Sequence, residues 1–201
     1  MSRSLIVVSA ATLLFVGGCF LGGLSPDGGA GRDFADQGPD ARRCGPGVVV
    51  VPGEGASHVP FGTAVMYQHN PPASGNHWAE KADWGAYAQL VPREQWVHNL
   101  EHGGIVLLYN CPGGPRADAG ISDGGAAWPC PEITTPLRAL RDERKNDKWG
   151  VVRVLVSADP LAPRRVSAVA WGWVYQADSV DEKALRCFIE ARYGRGPEDA
   201  P

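Results

Sequence analysis

Apolar residues fall along the chain in short runs separated by glycine- and proline-rich stretches, and each run carries its own prediction. The first, Leu5 to Val16, follows Arg3 and ends at Gly17-Gly18. It is too short for a membrane-spanning helix, which needs about 20 residues. Its order of charge, apolar run and small residues predicts a cleavable secretory signal over residues 1–18. From Gly22 to Arg43 the composition is mostly glycine, aspartate, proline and alanine, too poor in large apolar side chains to offset the entropy of folding, and it reads as a tether.

Beyond the tether, Val48 to Val51, bounded by Pro46 and Pro52, predicts a first strand. Glu94 to His102, with Pro92 before it and Gly103-Gly104 after it, predicts a short helix that stops abruptly. Ile105 to Tyr109 reads as a buried strand, and Thr135 to Asn146 as a charged amphipathic helix. Val151 to Ser157 and Val166 to Tyr175 predict two strands joined through Pro160 and Pro163. Ser179, with Glu182 three residues on, makes a capping box for a last helix running to Tyr193. The class is therefore α+β: a single domain over residues 44–197, with a small mixed β-sheet flanked by helices.

Charge and cysteines narrow the picture. The formal charge of −3 includes no basic stripe, which argues against nucleic acid as a partner. Cys19, directly after two glycines, resembles the lipobox of bacterial lipoproteins. That resemblance implies a diacylated thiol at a new N-terminus, so that residues 19–43 are a lipidated cysteine and flexible tether. The expected partner is then a membrane, held through the lipid, with the domain facing the periplasm or cell exterior. Phe20 in place of an aspartate resembles outer-membrane sorting in a cell that has an outer membrane. The remaining cysteines, Cys44, Cys111, Cys130 and Cys187, are even in number, as disulfides in an oxidising compartment require. Three pairings are open. Cys111–Cys130, closing a loop rich in Gly, Pro and Asp, and Cys44–Cys187, tying the start of the domain to its last helix, are preferred, at about 2–4 kcal/mol each. No CxxC pair is present to suggest a redox motif or a cysteine zinc knuckle.

The candidate chemistry lies in His98-Asn99-Leu100-Glu101-His102. Positions four apart on a helix share a face, with Cβ atoms about 5–6 Å apart, so His98 and His102 suit one cation. His77, on a loop held by Pro71-Pro72, is the expected third ligand. Three imidazoles suit zinc, copper, nickel or iron; zinc and copper are the cofactors carried forward. Glu101 is expected to orient the ligands, with Trp78, Trp84 and Tyr87 around them. His58 and His69 fall outside any spacing pattern and are not assigned. The same five residues also read as His-x-x-Glu-His, the inverted zincin motif, with Glu101 as general base. Those enzymes carry the motif inside a long helix, whereas here glycines end the helix at once. Against both stands the plain reading of imidazoles bonded to backbone carbonyls.

Tyr67, Pro71-Pro72-Ala73-Ser74-Gly75-Asn76-His77, Trp84-Gly85-Ala86-Tyr87, Val97-His98-Asn99-Leu100-Glu101-His102-Gly103-Gly104, Ala170-Trp171-Gly172 and the stretch from Asp181 to Pro197 together resemble a bacterial family of domains of unknown function, number 3105. The likeness spans roughly Val59 to Pro197. It implies no established activity, implies that members are often exported or membrane-tethered, and places His77, His98, Glu101 and His102 in signature motifs. His69 stands where the pattern does not call for histidine. The Cys111–Cys130 loop looks peculiar to this chain, which favours a local staple. Three functional readings follow: a lipid-tethered, non-catalytic binder of a transition metal through His77, His98 and His102; a metal-dependent hydrolase; and a structural module of the envelope in which the histidines pin the loop before Trp84 to the short helix.

Overall fold

The run Ile105–Tyr109 is buried at all five positions, which in a strand requires cover on both faces of its sheet. The computed structural model describes residues 39–112 and 128–201, and in it this strand occupies the interior of the sheet. The signal over residues 1–18, Cys19, the tether up to residue 38 and residues 113–127 of the cysteine-bounded loop lie outside the described residues. Chain order is a short 3₁₀ turn at Ala41–Cys44, then β1 (Val48–Val50), β2 (His58–Val59), β3 (His77–Trp78), β4 (Ala86–Leu90), α1 (Arg93–Glu101) and β5 (Ile105–Tyr109). There follow α2 (Pro131–Asp142), β6 (Val154–Ala158), β7 (Val166–Ala170), β8 (Trp173–Ala177) and α3 (Glu182–Arg192). The class is α+β, as expected. A six-stranded mixed sheet has the order β1-β8-β7-β5-β6-β4, and β2 and β3 make a separate parallel pair. In the larger sheet β5 is parallel to β6 and antiparallel to β7.

Alternation along the strands divides the core into two layers. Ile105, Leu107 and Tyr109 face one way and pack with Ile133, Leu137 and Leu140 of α2 and Leu185, Phe188 and Ile189 of α3. Val106 and Leu108 face the other way, onto Trp96, Val97 and Leu100 of α1. Cys44–Cys187 joins the 3₁₀ turn to α3 and Cys111–Cys130 spans the loop after β5, the two pairings preferred from sequence.

Several elements differ from the sequence reading, among them the two-residue strands β2 and β3, which it did not contain, and β6, which starts at Val154 rather than Val151. Val166 to Tyr175 is a hairpin of two strands, not one, because Gly172 takes a φ of +72° and reverses the chain after Trp171. The last helix is capped by Asp181, whose carboxylate accepts the Ala184 N–H, rather than by Ser179. Helix α2 begins at Pro131 and ends at Asp142, earlier at both ends than expected. Its proline start signal precedes the charged stretch, and Pro136 is tolerated inside because Ile133, Leu137 and Leu140 bury one stripe. Strand β4 was not foreseen; it pairs only with β6, at the edge of the sheet, and all its residues are half-buried.

Candidate metal centre

Helix α1 is buried nearly all round in its C-terminal half. Trp96, Val97 and Leu100 take the sheet face, while His98 and Glu101, three apart, share a second stripe. Asn99 locks the chain leading to β4: its Oδ1 accepts the Ala82 N–H at 3.0 Å and its Nδ2–H donates to the Ala82 carbonyl at 2.9 Å. The second wall is the β2/β3 pair, in which His58 stands opposite His77. The loop before His77 is held by Gly75 N–H to Gly55 O at 2.9 Å, by Ser74 Oγ, which accepts the Glu54 N–H, and by the Tyr67 hydroxyl on the Asn76 carbonyl. Gly75 is required there, since its φ is +120° and a Cβ would stand 2.8 Å from the Tyr67 ring.

These elements bring His58, His77, His98 and Glu101 together, with one ligand atom of each within 4.8 Å of all the others. His77 Nε2 lies 2.9 Å and His58 Nε2 3.4 Å from Glu101 Oε2. A tetrahedral ion with bonds of about 2.0–2.2 Å needs ligand–ligand edges of about 3.3–3.6 Å, so the group fits one ion after modest closure. His77, His98 and Glu101 are buried, and only His58, 46 % exposed at its side chain, opens the group to solvent.

Backbone carbonyls set the direction of the lone pairs. His77 Nδ1–H donates to Gly75 O and His98 Nδ1–H to Trp78 O, both at 2.8 Å, so that each Nε2 is the nitrogen left for the cluster. Both nitrogens of His77 then face acceptors, an arrangement satisfied by a doubly protonated ring or by a metal replacing the Nε2 proton. Burial, with the neighbouring histidine charges adding to it, pushes His98 down to about 4 despite the Trp78 bond, which keeps it a neutral donor of electrons near neutral pH. Burial raises the Glu101 carboxyl, but the His77 hydrogen bond and the charges of His77, His58 and His98 outweigh it and leave the group below its ordinary value. The pocket is thus electrostatically set for a cation.

The sequence reading named His77, His98 and His102 as ligands; His77 and His98 are in the group, and His102 is not among its four. Glu101, expected to orient ligands from outside, has its oxygen among the ligand atoms, and the unassigned His58 completes the four. No spacing connects His58 to His77; only the parallel pairing of two two-residue strands does. His102 stands beside His98, with Nε2 to Nε2 at 3.1 Å, its Nδ1–H on a main-chain oxygen of Pro201 at 2.9 Å and Glu198 Oε2 3.4 Å away. His69 is bonded to Glu54 at 2.6 Å. Trp78 supplies the carbonyl for His98 and donates its indole N–H to Thr63 O. Trp84 and Tyr87 pack against the core on the α1 side, and the Tyr87 hydroxyl donates to Asp83 O.

Fold and site together define an α+β domain with a buried histidine–carboxylate cluster compatible with a metal ion. The chain belongs to the family described as protein of unknown function DUF3105, whose model matches residues 58–201. Comparison with curated proteins and with solved structures gave no match.

Proposed function

We propose that this chain is a lipid-anchored protein of the cell envelope that holds a transition-metal ion, zinc or copper, through His58, His77, His98 and Glu101. The observation that carries the reading is the convergence of the imidazoles, two of them tied at Nδ1 to carbonyls, on one carboxylate in a largely buried pocket. Fixing the second nitrogen in this way selects the tautomer that ligates and holds the ring in place. Three imidazoles and one carboxylate form a mixed donor set suited to zinc or copper. Glu101 Oε2, engaged by His77 and within reach of His58, is better disposed to bind an ion than to take a proton from a water, which favours binding over hydrolysis. The location at the envelope rests on the signal-like N-terminus and on Cys19 after its two glycines.

Metal analysis of the full chain, purified in detergent without a histidine tag, tests the site. Near-stoichiometric zinc or copper is expected, with loss of the ion in a His77→Ala, His98→Ala double variant. A protein that stays empty after incubation with both metals, and is equally stable in chelator, would show instead that protons pin these rings and that the cluster is structural. The anchor has its own test. Cys19→Ser should move the chain from the membrane fraction to the soluble one, and a variant that remains in the membrane would refute lipidation at that residue.

A further inference from the structure

His98 has one free lone pair and two claimants. Its Nδ1–H is committed to Trp78 O, so only Nε2 is available, and that atom belongs to the buried group while lying 3.1 Å from His102 Nε2. His102 Nδ1 is likewise engaged, by a main-chain oxygen of Pro201. Two neutral rings so tied would set lone pair against lone pair at hydrogen-bond distance, a contact relieved by a proton or by a metal ion held between the two nitrogens. A third donor, Glu198 Oε2, lies 3.4 Å from His102 Nε2 on a side chain 48 % exposed. This donor is held in place by the chain around it. The Glu198 N–H donates to Glu101 O at 3.0 Å, Gly194 N–H donates to Gly103 O at 2.8 Å, and the Arg153 guanidinium donates to the carbonyls of Ala200 and His102.

We propose that His98, His102 and Glu198 form a second, outer position for a divalent cation. It shares the His98 imidazole with the buried group, so an ion passes between solvent and that group by changing partners on His98. The proposal rests on the buried group being a metal site, and adds a route to it. One lone pair cannot serve two ions at once, so the two positions exclude each other and the outer one is a waypoint. The outer set is the weaker of the two, having three donors, one of them half in water, against four in the largely buried group.

Cobalt(II), whose visible absorption reports its ligands, is the probe, used on the full chain. In His102→Ala, Glu198→Gln the affinity should stay within about threefold of wild type, while release to an excess of chelator slows by about tenfold. In His58→Ala, His77→Gln binding should weaken by about 100-fold or more with an altered spectrum, and adding the two outer substitutions should abolish what is left. If the inner pair of substitutions prevents folding, His58→Ala alone, at the exposed ring, gives the same comparison. Release at the wild-type rate from the outer variant, or no cobalt in the inner variant, overturns the waypoint and leaves the buried site standing. Loss of cobalt from the outer variant with full retention in the inner one overturns the buried site and the sharing together. Wild-type protein that binds no cobalt overturns both.

Discussion

Gly103→Ala is expected to destabilise the protein by about 2–4 kcal/mol, the sum of left-handed backbone strain and overpacking. Gly103 has a φ of +74°, which an alanine adopts at a cost of about 1–2 kcal/mol. A Cβ there would also stand 2.9 Å from the Arg195 nitrogen and from the Gly194 carbonyl carbon, both backbone atoms that cannot rotate away. The same crowding seen from the other side is more severe: a Cβ on Gly196 would meet Glu101 O at 2.1 Å and Gly103 N at 2.3 Å. Gly196→Ala should cost less, about 1–3 kcal/mol, because Gly196 lies outside the left-handed region and the substitution adds overpacking without backbone strain. Urea unfolding of the two variants checks the order. A Gly103→Ala protein as stable as wild type would mean that the chain reverses after α1 by some other conformation.

That reversal explains why the site was only partly legible in the sequence. Pro92 and the glycine pair mark the limits of α1 to within a residue, and the unbroken run in β5 declares burial on both faces. The pairing of His98 with His102 assumed a helix continuing through both. In the structure α1 ends at Glu101 and His102 is the capping residue, with φ −75° and ψ 11°; its ring still meets His98 at 3.1 Å but takes its other partners from the chain around Glu198 and Pro201. The i,i+3 partner Glu101 remains on the helix and takes a place among the ligand atoms. His58 carried no signal, because two-residue strands have no periodicity to read and the residue opposite His58 lies in a distant segment. The hairpin was different. A lone glycine inside the β-rich run Val166 to Tyr175 is a recognised break, and Gly172 is where the chain turns.

Glu101→Gln should weaken metal binding at pH 7 by about 100-fold or more, or about 2.7 kcal/mol, while leaving the fold in place. Glutamine keeps the size of the side chain and one oxygen, but removes the negative charge that sits among three imidazoles. The variant should also change the pH dependence. His77 Nε2 faces Glu101 Oε2 at 2.9 Å, so a proton and an entering ion compete for the same place, and affinity falls as pH falls. Without the carboxylate to hold the proton, calorimetry in buffers of differing ionisation heat should find fewer protons released. Stability of the apoprotein follows from the same groups. His98, held at about 4 against an ordinary 6.5, adds no penalty above pH 6.5; below it the unfolded chain takes up a proton that the folded one refuses, so stability falls progressively down to about pH 4. The depressed Glu101 carboxyl stabilises the fold above its ordinary value of 4.5, and that contribution is lost as pH falls through the lower folded value. Metal-free wild type should therefore melt at steadily lower temperature on acidification from pH 6.5. The glutamine variant should share the upper part of that decline, which belongs to His98, and lose less below pH 4.5. Equal metal affinity in the two proteins would remove Glu101 from the ligand set and leave the three imidazoles to hold the ion alone.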